Sequence, residues 1–114
     1  MIAEQTVLDL IDRAAASGCE AHRAKHAAIG DAGAAGDAWA AVPPEGRNRR
    51  LIREMAEAGM GGFDPWDCTW HVTPRDMGVK LHIQSIVVQA AGCEAFASAL
   101  RPAGYAMTVN DRLD

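Results

Sequence analysis

Near the amino terminus, apolar residues recur at helical spacing around a Thr6-x-x-Asp9 pair that is typical of a capping box. The pattern predicts a helix over residues 3–17 that stops at Gly18, since glycine commonly follows the last helical turn. The next stretch, residues 19–29, is rich in alanine and free of helix breakers. It therefore predicts a second helix.

The middle of the chain combines loop signals with one further helix. Three glycines within residues 30–37 predict a flexible connector, and Asp37 is expected to cap a short turn that carries Trp39. A proline pair then precedes a third predicted helix, which runs from about residue 45 to 58 and stops at Gly59. Its apolar stripe consists of Leu51, Ile52, Met55 and Ala56.

Beyond Trp66 the period of the pattern changes to two, which is typical of a half-buried strand. One strand is predicted over residues 67–73 and a second over residues 79–84, joined by a turn at residues 74–78. The alternation slips at Ser85, which favours a β-bulge there. The apolar positions of the two strands are Cys68, Trp70, Val72, Val79, Leu81 and Ile83.

A fourth helix is predicted over residues 92–101, and a last short strand over residues 105–109. The predicted order is α-α-α-β-β-α-β. The fold class is thus α+β, with about three helices over residues 3–60 packed with a ββαβ unit over residues 66–109 that forms a three-stranded, mainly antiparallel sheet. The 114 residues fit one domain, residues 1–114.

The hairpin register follows from the need to place both apolar sets on one face. Trp70 opposite Leu81 and Val72 opposite Val79 meets this condition. Cys68 then faces the core, and Cys93 is expected to be a buried small residue as well. The other face of the hairpin is polar and is expected to be free for contact. It carries Thr69, His71, Lys80, His82 and Gln84.

Charge and cysteine content narrow the classes of function. The net charge is −4. When the chain is divided into residues 1–42, 43–60 and 61–114, basic residues outnumber acidic ones in the middle segment alone. Proteins that coat nucleic acid usually show a wider basic surface. Three cysteines at wide spacing argue against a disulfide framework and favour a reducing cytoplasm. No signal peptide and no membrane-spanning run is evident, so no membrane association is expected.

Two groups of residues have types that could bind metal. Cys19, His22 and His26 would share one side of the second helix, and thiolate and imidazole are common zinc ligands. A solvated helix face with chance polar residues is the alternative. Cys68 and His71 should point to opposite faces of a strand, which disfavours both a shared metal and a nucleophile–base pair.

Four arginines begin the third predicted helix, and Trp66 follows an Asp-Pro pair in a loop. The arginines are either a solvated face or an anion-binding patch, because arginine binds carboxylates and phosphates through two hydrogen bonds. A loop tryptophan either fills a gap in the core or anchors a partner. The predicted partner-binding residues are Arg47, Arg49, Arg50, Arg53, Trp66, His71, Lys80 and His82.

No enzyme motif is present: the sequence lacks a nucleophile elbow, an H-E-x-x-H pair and a dinucleotide-binding fingerprint. No cofactor is expected, and no resemblance to a known family is evident. The leading interpretation is a non-enzymatic binding module, a small protein-binding regulator or inhibitor of the kind that bacteria and phages encode. Its partner would be another protein or a second copy of this chain. The alternatives are nucleic-acid binding through the Arg47–Arg53 helix and metal binding at Cys19, His22 and His26.

Overall fold

The computed structural model of the protein describes residues 6–114 and confirms an α+β fold. The helices are α1 (Val7–Ile29), α2 (Asn48–Glu57), α3 (Pro74–Met77) and α4 (Ile86–Leu100), followed by a 3₁₀ turn at Arg101–Ala103. The strands are β1 (Gly36–Val42), β2 (Gly62–Asp64), β3 (Thr69–Val72) and β4 (Thr108–Leu113). Residues 3–5 of the first predicted helix lie outside the described range.

The strands form one antiparallel sheet in the order β2-β3-β1-β4. The sheet therefore has four strands and not the predicted three. Strands β1 and β2 were not predicted, whereas the predicted strand over residues 79–84 does not form. Strand β1 arises where a loop and a turn were predicted, inside the part expected to be helical. Its inward positions include Ala38 and Ala40, which are buried. Alanine has weak strand propensity, so the alternation of β1 was not visible as an apolar pattern.

The predicted hairpin between residues 67–73 and 79–84 is wrong. Strand β3 pairs instead with β1 and β2, so that Trp70 lies opposite Val42 and Phe63, while Val72 lies opposite Ala40. Leu81 is 62% exposed. Residues 79–84 form neither helix nor strand.

A second capping box explains why the chain does not turn back after β3. The Thr73 hydroxyl accepts a hydrogen bond from the backbone N–H of Asp76, and the Asp76 carboxylate accepts one from the backbone N–H of Thr73. Together with Pro74 in the first turn, this arrangement starts the short helix α3. The turn expected at residues 74–78 is therefore replaced by a helical turn that carries the chain past the end of the sheet.

The two long helices also differ from their predicted bounds. Helix α1 continues through Gly18, so the two helices predicted at the amino terminus are one. Helix α4 begins at Ile86 rather than residue 92, because the Ser85 side chain caps it by accepting from the backbone N–H of Val88. Ser85 thus marks a helix start and not a β-bulge. The last strand lies at Thr108–Leu113 rather than residues 105–109.

The hydrophobic core lies between the sheet and the helices. Helix α4 packs against β1 and β4, α1 packs along α4, and α2 contacts α1. The largest fully buried side chains are Phe96, Ile11, Leu51, Met55 and Leu100. Within residues 6–114, no helix combines the length and the apolarity that spanning a membrane requires.

Candidate functional site

A groove of about 1190 Å³ borders the sheet near Trp39 of β1 and His71 of β3. Both residues alternate with the core-facing residues Ala40 and Val72, so they point to the opposite face of the sheet. The groove is also lined by residues of three further regions: Asp37, Asp64, Trp66 and Asp67 near the strands, Arg75, Lys80, Leu81 and His82 from residues 74–83, and Arg112 from β4.

The rings of Trp39 and His71 are stacked, with centroids 5.0 Å apart and planes 19° from parallel. Because Ala41 lies opposite His71 in the sheet, Trp39 is its diagonal neighbour on the same face. The indole N–H of Trp39 is buried and has no hydrogen-bond partner among residues 6–114. Because no hydrogen bond from the described residues orients the indole, its stacking on His71 is the contact that sets how the two rings lie.

Both nitrogens of His71 face carboxylates. Nε2 lies 2.8 Å from Oδ2 of Asp67, and Nδ1 lies 3.6 Å from Oδ2 of Asp64. The hydrogen bond with His71 is the main cause that lowers the pKa of Asp67 below its ordinary value. We call these three side chains the Asp64–Asp67–His71 cluster.

The loop between β2 and β3, residues 65–68, fixes the two carboxylates. Oδ1 of Asp64 accepts from the backbone N–H of Trp66 at 2.7 Å. Oδ1 of Asp67 accepts from the backbone N–H and the hydroxyl of Thr69, at 3.0 and 2.8 Å. In each carboxylate one oxygen thus holds the loop, which leaves the other oxygen directed at His71.

Trp66 is 94% exposed at the tip of the same loop. Its backbone N–H is bonded to Asp64, and the backbone N–H of Cys68 donates to the Asp64 carbonyl at 2.9 Å. The large apolar ring is therefore presented to solvent by a hydrogen-bonded turn and does not fill the core.

Two cysteines that were both predicted to be buried lie in different environments. Cys68 is exposed, so its predicted core position is wrong; its φ of +58° closes the loop before β3 begins. Cys93 is fully buried, as expected. Burial, with a smaller contribution from the charge of Glu94, raises the pKa of the Cys93 thiol to about 12.

The structure brings together four of the eight predicted partner-binding residues. Trp66, His71, Lys80 and His82 all line the groove. The four arginines do not line it. Arg47, Arg49, Arg50 and Arg53 are exposed on or just before α2. The Arg47 guanidinium lies 5.6 Å from the centre of the Tyr105 ring, and Nε of Arg49 donates to the Pro44 carbonyl.

The metal candidates at Cys19, His22 and His26 are not arranged as a cluster. His22 is only 5% exposed, and Sγ of Cys19 donates to the Met77 carbonyl. Among residues 6–114, the Asp64–Asp67–His71 cluster alone brings three such ligand atoms within 4.8 Å of one another. Sequence reasoning missed Asp64 and Asp67; the available signal was an Asp at the start and near the end of a short loop, followed by a histidine on the next strand.

The charges along the groove are unevenly distributed. Asp37 and Arg112 form a long ion pair of 3.9 Å across neighbouring strands. Arg75 and Lys80 have no ion-pair partner within the part of the chain that the structure describes. Residues 74–83 therefore give the groove a basic side next to the exposed Leu81.

Comparisons of the chain with protein-family models, with curated proteins and with solved structures found no match. The functional proposal is accordingly based on the groove and its side chains.

Proposed function

We propose that the protein is a non-enzymatic binding module. Its groove would bind a segment of another protein that carries both acidic residues and a large apolar residue. The observation that carries the proposal is the 94% exposure of Trp66 on a hydrogen-bonded loop. Tryptophan is enriched among the residues that dominate interface energies. A rigid turn also limits the conformational entropy that is lost when a partner covers the ring.

The chemistry of the expected partner follows from residues 74–83. Arg75 and Lys80 offer cationic groups without an ion-pair partner among the described residues, which favours carboxylates on the partner. Leu81, 62% exposed in the same groove, favours an apolar side chain beside those carboxylates. A small regulator or inhibitor of bacterial or phage type is the class of protein that we propose.

Nucleic acid is the second candidate, and it uses a different surface. Three carboxylates interrupt the basic residues of the groove, which therefore lacks the continuous basic surface that an extended phosphate backbone requires. The exposed arginines Arg49 and Arg53 of α2 remain the surface for this alternative. We expect no salt-dependent retention of the protein on heparin or DNA. Retention that is lost in the Arg49→Glu, Arg53→Glu variant would support nucleic-acid binding instead.

The cytoplasm is the location that we propose. Cys19, Cys68 and Cys93 are free thiols. A reducing compartment maintains cysteines in this form.

Selection from a displayed library of random peptides tests the groove directly. We expect enriched peptides to combine Asp or Glu with a large apolar residue. Their affinity, measured by titration calorimetry, should fall by about tenfold or more in Trp66→Ala, which corresponds to a loss of about 1.4 kcal/mol. Lys80→Glu should weaken binding most strongly at low salt.

Matched variants control for effects outside the groove. Leu81→Ala and Lys80→Glu change residues that line the groove, and each has a control outside it. The control for Leu81→Ala is Leu113→Ala, which removes a leucine that is 66% exposed on β4. The control for Lys80→Glu is Arg50→Glu. Both controls should bind the selected peptides like the unmodified protein. Peptides without acidic residues, or peptides that bind Trp66→Ala as tightly as the unmodified protein, would overturn the proposal. Assembly of the protein with itself through Trp66, measured by sedimentation, would identify the partner as a second copy.

A further inference from the structure

We infer that the Asp64–Asp67–His71 cluster is a binding site for a divalent transition-metal ion. Its three side chains each offer one ligand atom, and these atoms all lie within 4.8 Å of one another. One imidazole nitrogen and two carboxylate oxygens form a donor set that suits zinc and its neighbours in the first transition row. Magnesium and calcium, which prefer oxygen donors only, fit the histidine less well.

The ligands are held in place by contacts outside the cluster. The Trp39 ring stacks on His71 at 5.0 Å and restricts rotation of the imidazole. The Thr69 hydroxyl donates to the second oxygen of Asp67 at 2.8 Å. Supporting contacts of this kind orient ligands in known metal sites, and they reduce the reorganisation that binding an ion requires.

The charge of the cluster also favours a cation. Within the part of the chain that the structure describes, neither Asp64 nor Asp67 has an ion pair with lysine or arginine. His71 is the one basic partner that the two carboxylates share. A divalent ion would neutralise both carboxylates, whereas a protonated imidazole supplies a single positive charge.

Solvent reaches the cluster from the groove. The side chains of His71, Asp64 and Asp67 are 18%, 31% and 38% exposed. Three protein ligands would leave further coordination positions for water or another ligand. The inference does not depend on the proposed protein binding, because the ion is tested without a partner.

Titration calorimetry with Zn²⁺ on the metal-free, untagged protein tests the site. We expect one ion per chain with micromolar affinity, weakened about tenfold or more in each of Asp64→Asn, Asp67→Asn and His71→Gln. Asp37→Asn and His82→Gln change a carboxylate and a histidine that line the same groove outside the cluster, and both should bind Zn²⁺ like the unmodified protein. Circular dichroism checks that every variant is folded.

Cobalt absorption gives a second readout that separates this site from one built on cysteine. Co²⁺ bound to the cluster should show d–d bands without a thiolate charge-transfer band, since no cysteine takes part. Absence of Zn²⁺ binding at about 100 µM protein, a range easily reached by calorimetry, would overturn the inference. The inference would also be overturned if Asp64→Asn and Asp67→Asn bound Zn²⁺ as tightly as the unmodified protein, or if a thiolate charge-transfer band appeared. If His71→Gln does not fold, the two Asp→Asn variants still decide the result.

Discussion

The carbonyl oxygen of Gly18 lies 3.1 Å from the position that a β-carbon on Gly92 would occupy, and the reverse distance is also 3.1 Å. Helices α1 and α4 therefore approach each other closely at a point where each has a glycine. A β-carbon on Gly18 would also lie 2.6 Å from Sδ of Met77. These contacts explain why α1 continues through Gly18: the residue serves the helix crossing and does not end the helix.

We expect Gly18→Ala and Gly92→Ala each to lower the free energy of unfolding by about 1–3 kcal/mol, because the helices must separate to fit a methyl group. The sign is informative, since glycine to alanine within a helix otherwise stabilises by about 1 kcal/mol. Urea unfolding measures the effect. Ser17→Ala, at an exposed neighbouring position, should change stability by less than about 0.5 kcal/mol. A gain in stability in either glycine variant would contradict the close crossing.

The Gly18 example shows which part of the fold was predictable from sequence. Local signals were sufficient to identify the capping box at Thr6 and Asp9, although the helix was predicted to begin three residues before it, and to place α2 to within three residues at each end. The role of Gly18 depends on Gly92, which is distant along the chain. No local pattern contains that information, so its interpretation as a helix stop was wrong.

Half of the residues predicted to bind a partner lie in the candidate groove, whereas Asp64 and Asp67 of the site were not predicted. Trp66, His71, Lys80 and His82 do line one groove. They meet there because residues 74–83 pass the end of the sheet, and not because of the predicted hairpin. Their proximity depends on β1, whose small residues gave no recognisable strand pattern.

The second prediction concerns Gln89. Its buried side chain forms the hydrogen bonds that a neighbouring strand would otherwise form with the first residues of β1. Its Oε1 accepts from the backbone N–H of Ala38 at 3.0 Å, and its Nε2 donates to the carbonyls of Gly36 and Ile83 at 2.7 and 2.9 Å. Gln89→Leu leaves these buried groups without partners and should cost about 2 kcal/mol or more. Thermal unfolding measures the loss. Gln84→Leu, at an exposed position, is the control, and an equal effect of both variants would contradict the prediction.

The third prediction concerns Cys68, the one residue other than glycine with a positive φ among residues 6–114. A β-carbon in this left-handed conformation costs roughly 1–2 kcal/mol, whereas glycine adopts it freely but loses more entropy on folding. We expect Cys68→Gly to raise the urea midpoint by a net gain of about 0.5–1 kcal/mol. Cys68→Ala removes the thiol and keeps the β-carbon, so it should give no gain. A similar gain in both variants would show that the thiol, and not the backbone, is the unfavourable element.

The last prediction is a pH dependence of stability that originates at His22. Burial, with a smaller contribution from the charge of His26, lowers the pKa of His22 below its ordinary value of 6.5. The unfolded chain therefore binds a proton at this residue more readily than the folded protein does. The contribution of His22 to the free energy of unfolding should be constant above the unfolded pKa and fall as the pH decreases below about 6.5, until the folded pKa is reached.

Urea unfolding at pH 7.5 and 5.5 isolates this contribution when His22→Gln is compared with the unmodified protein. The variant loses the titrating group, so its stability should fall less between the two pH values, whatever its absolute stability. His82→Gln removes an exposed histidine and should keep the full pH dependence. His22 packs closely against Gly92, which leaves little room for the water that a charged imidazole would need. If the pH dependence of stability is the same in His22→Gln and in the unmodified protein, the folded protein accommodates the charged imidazole and the prediction is wrong.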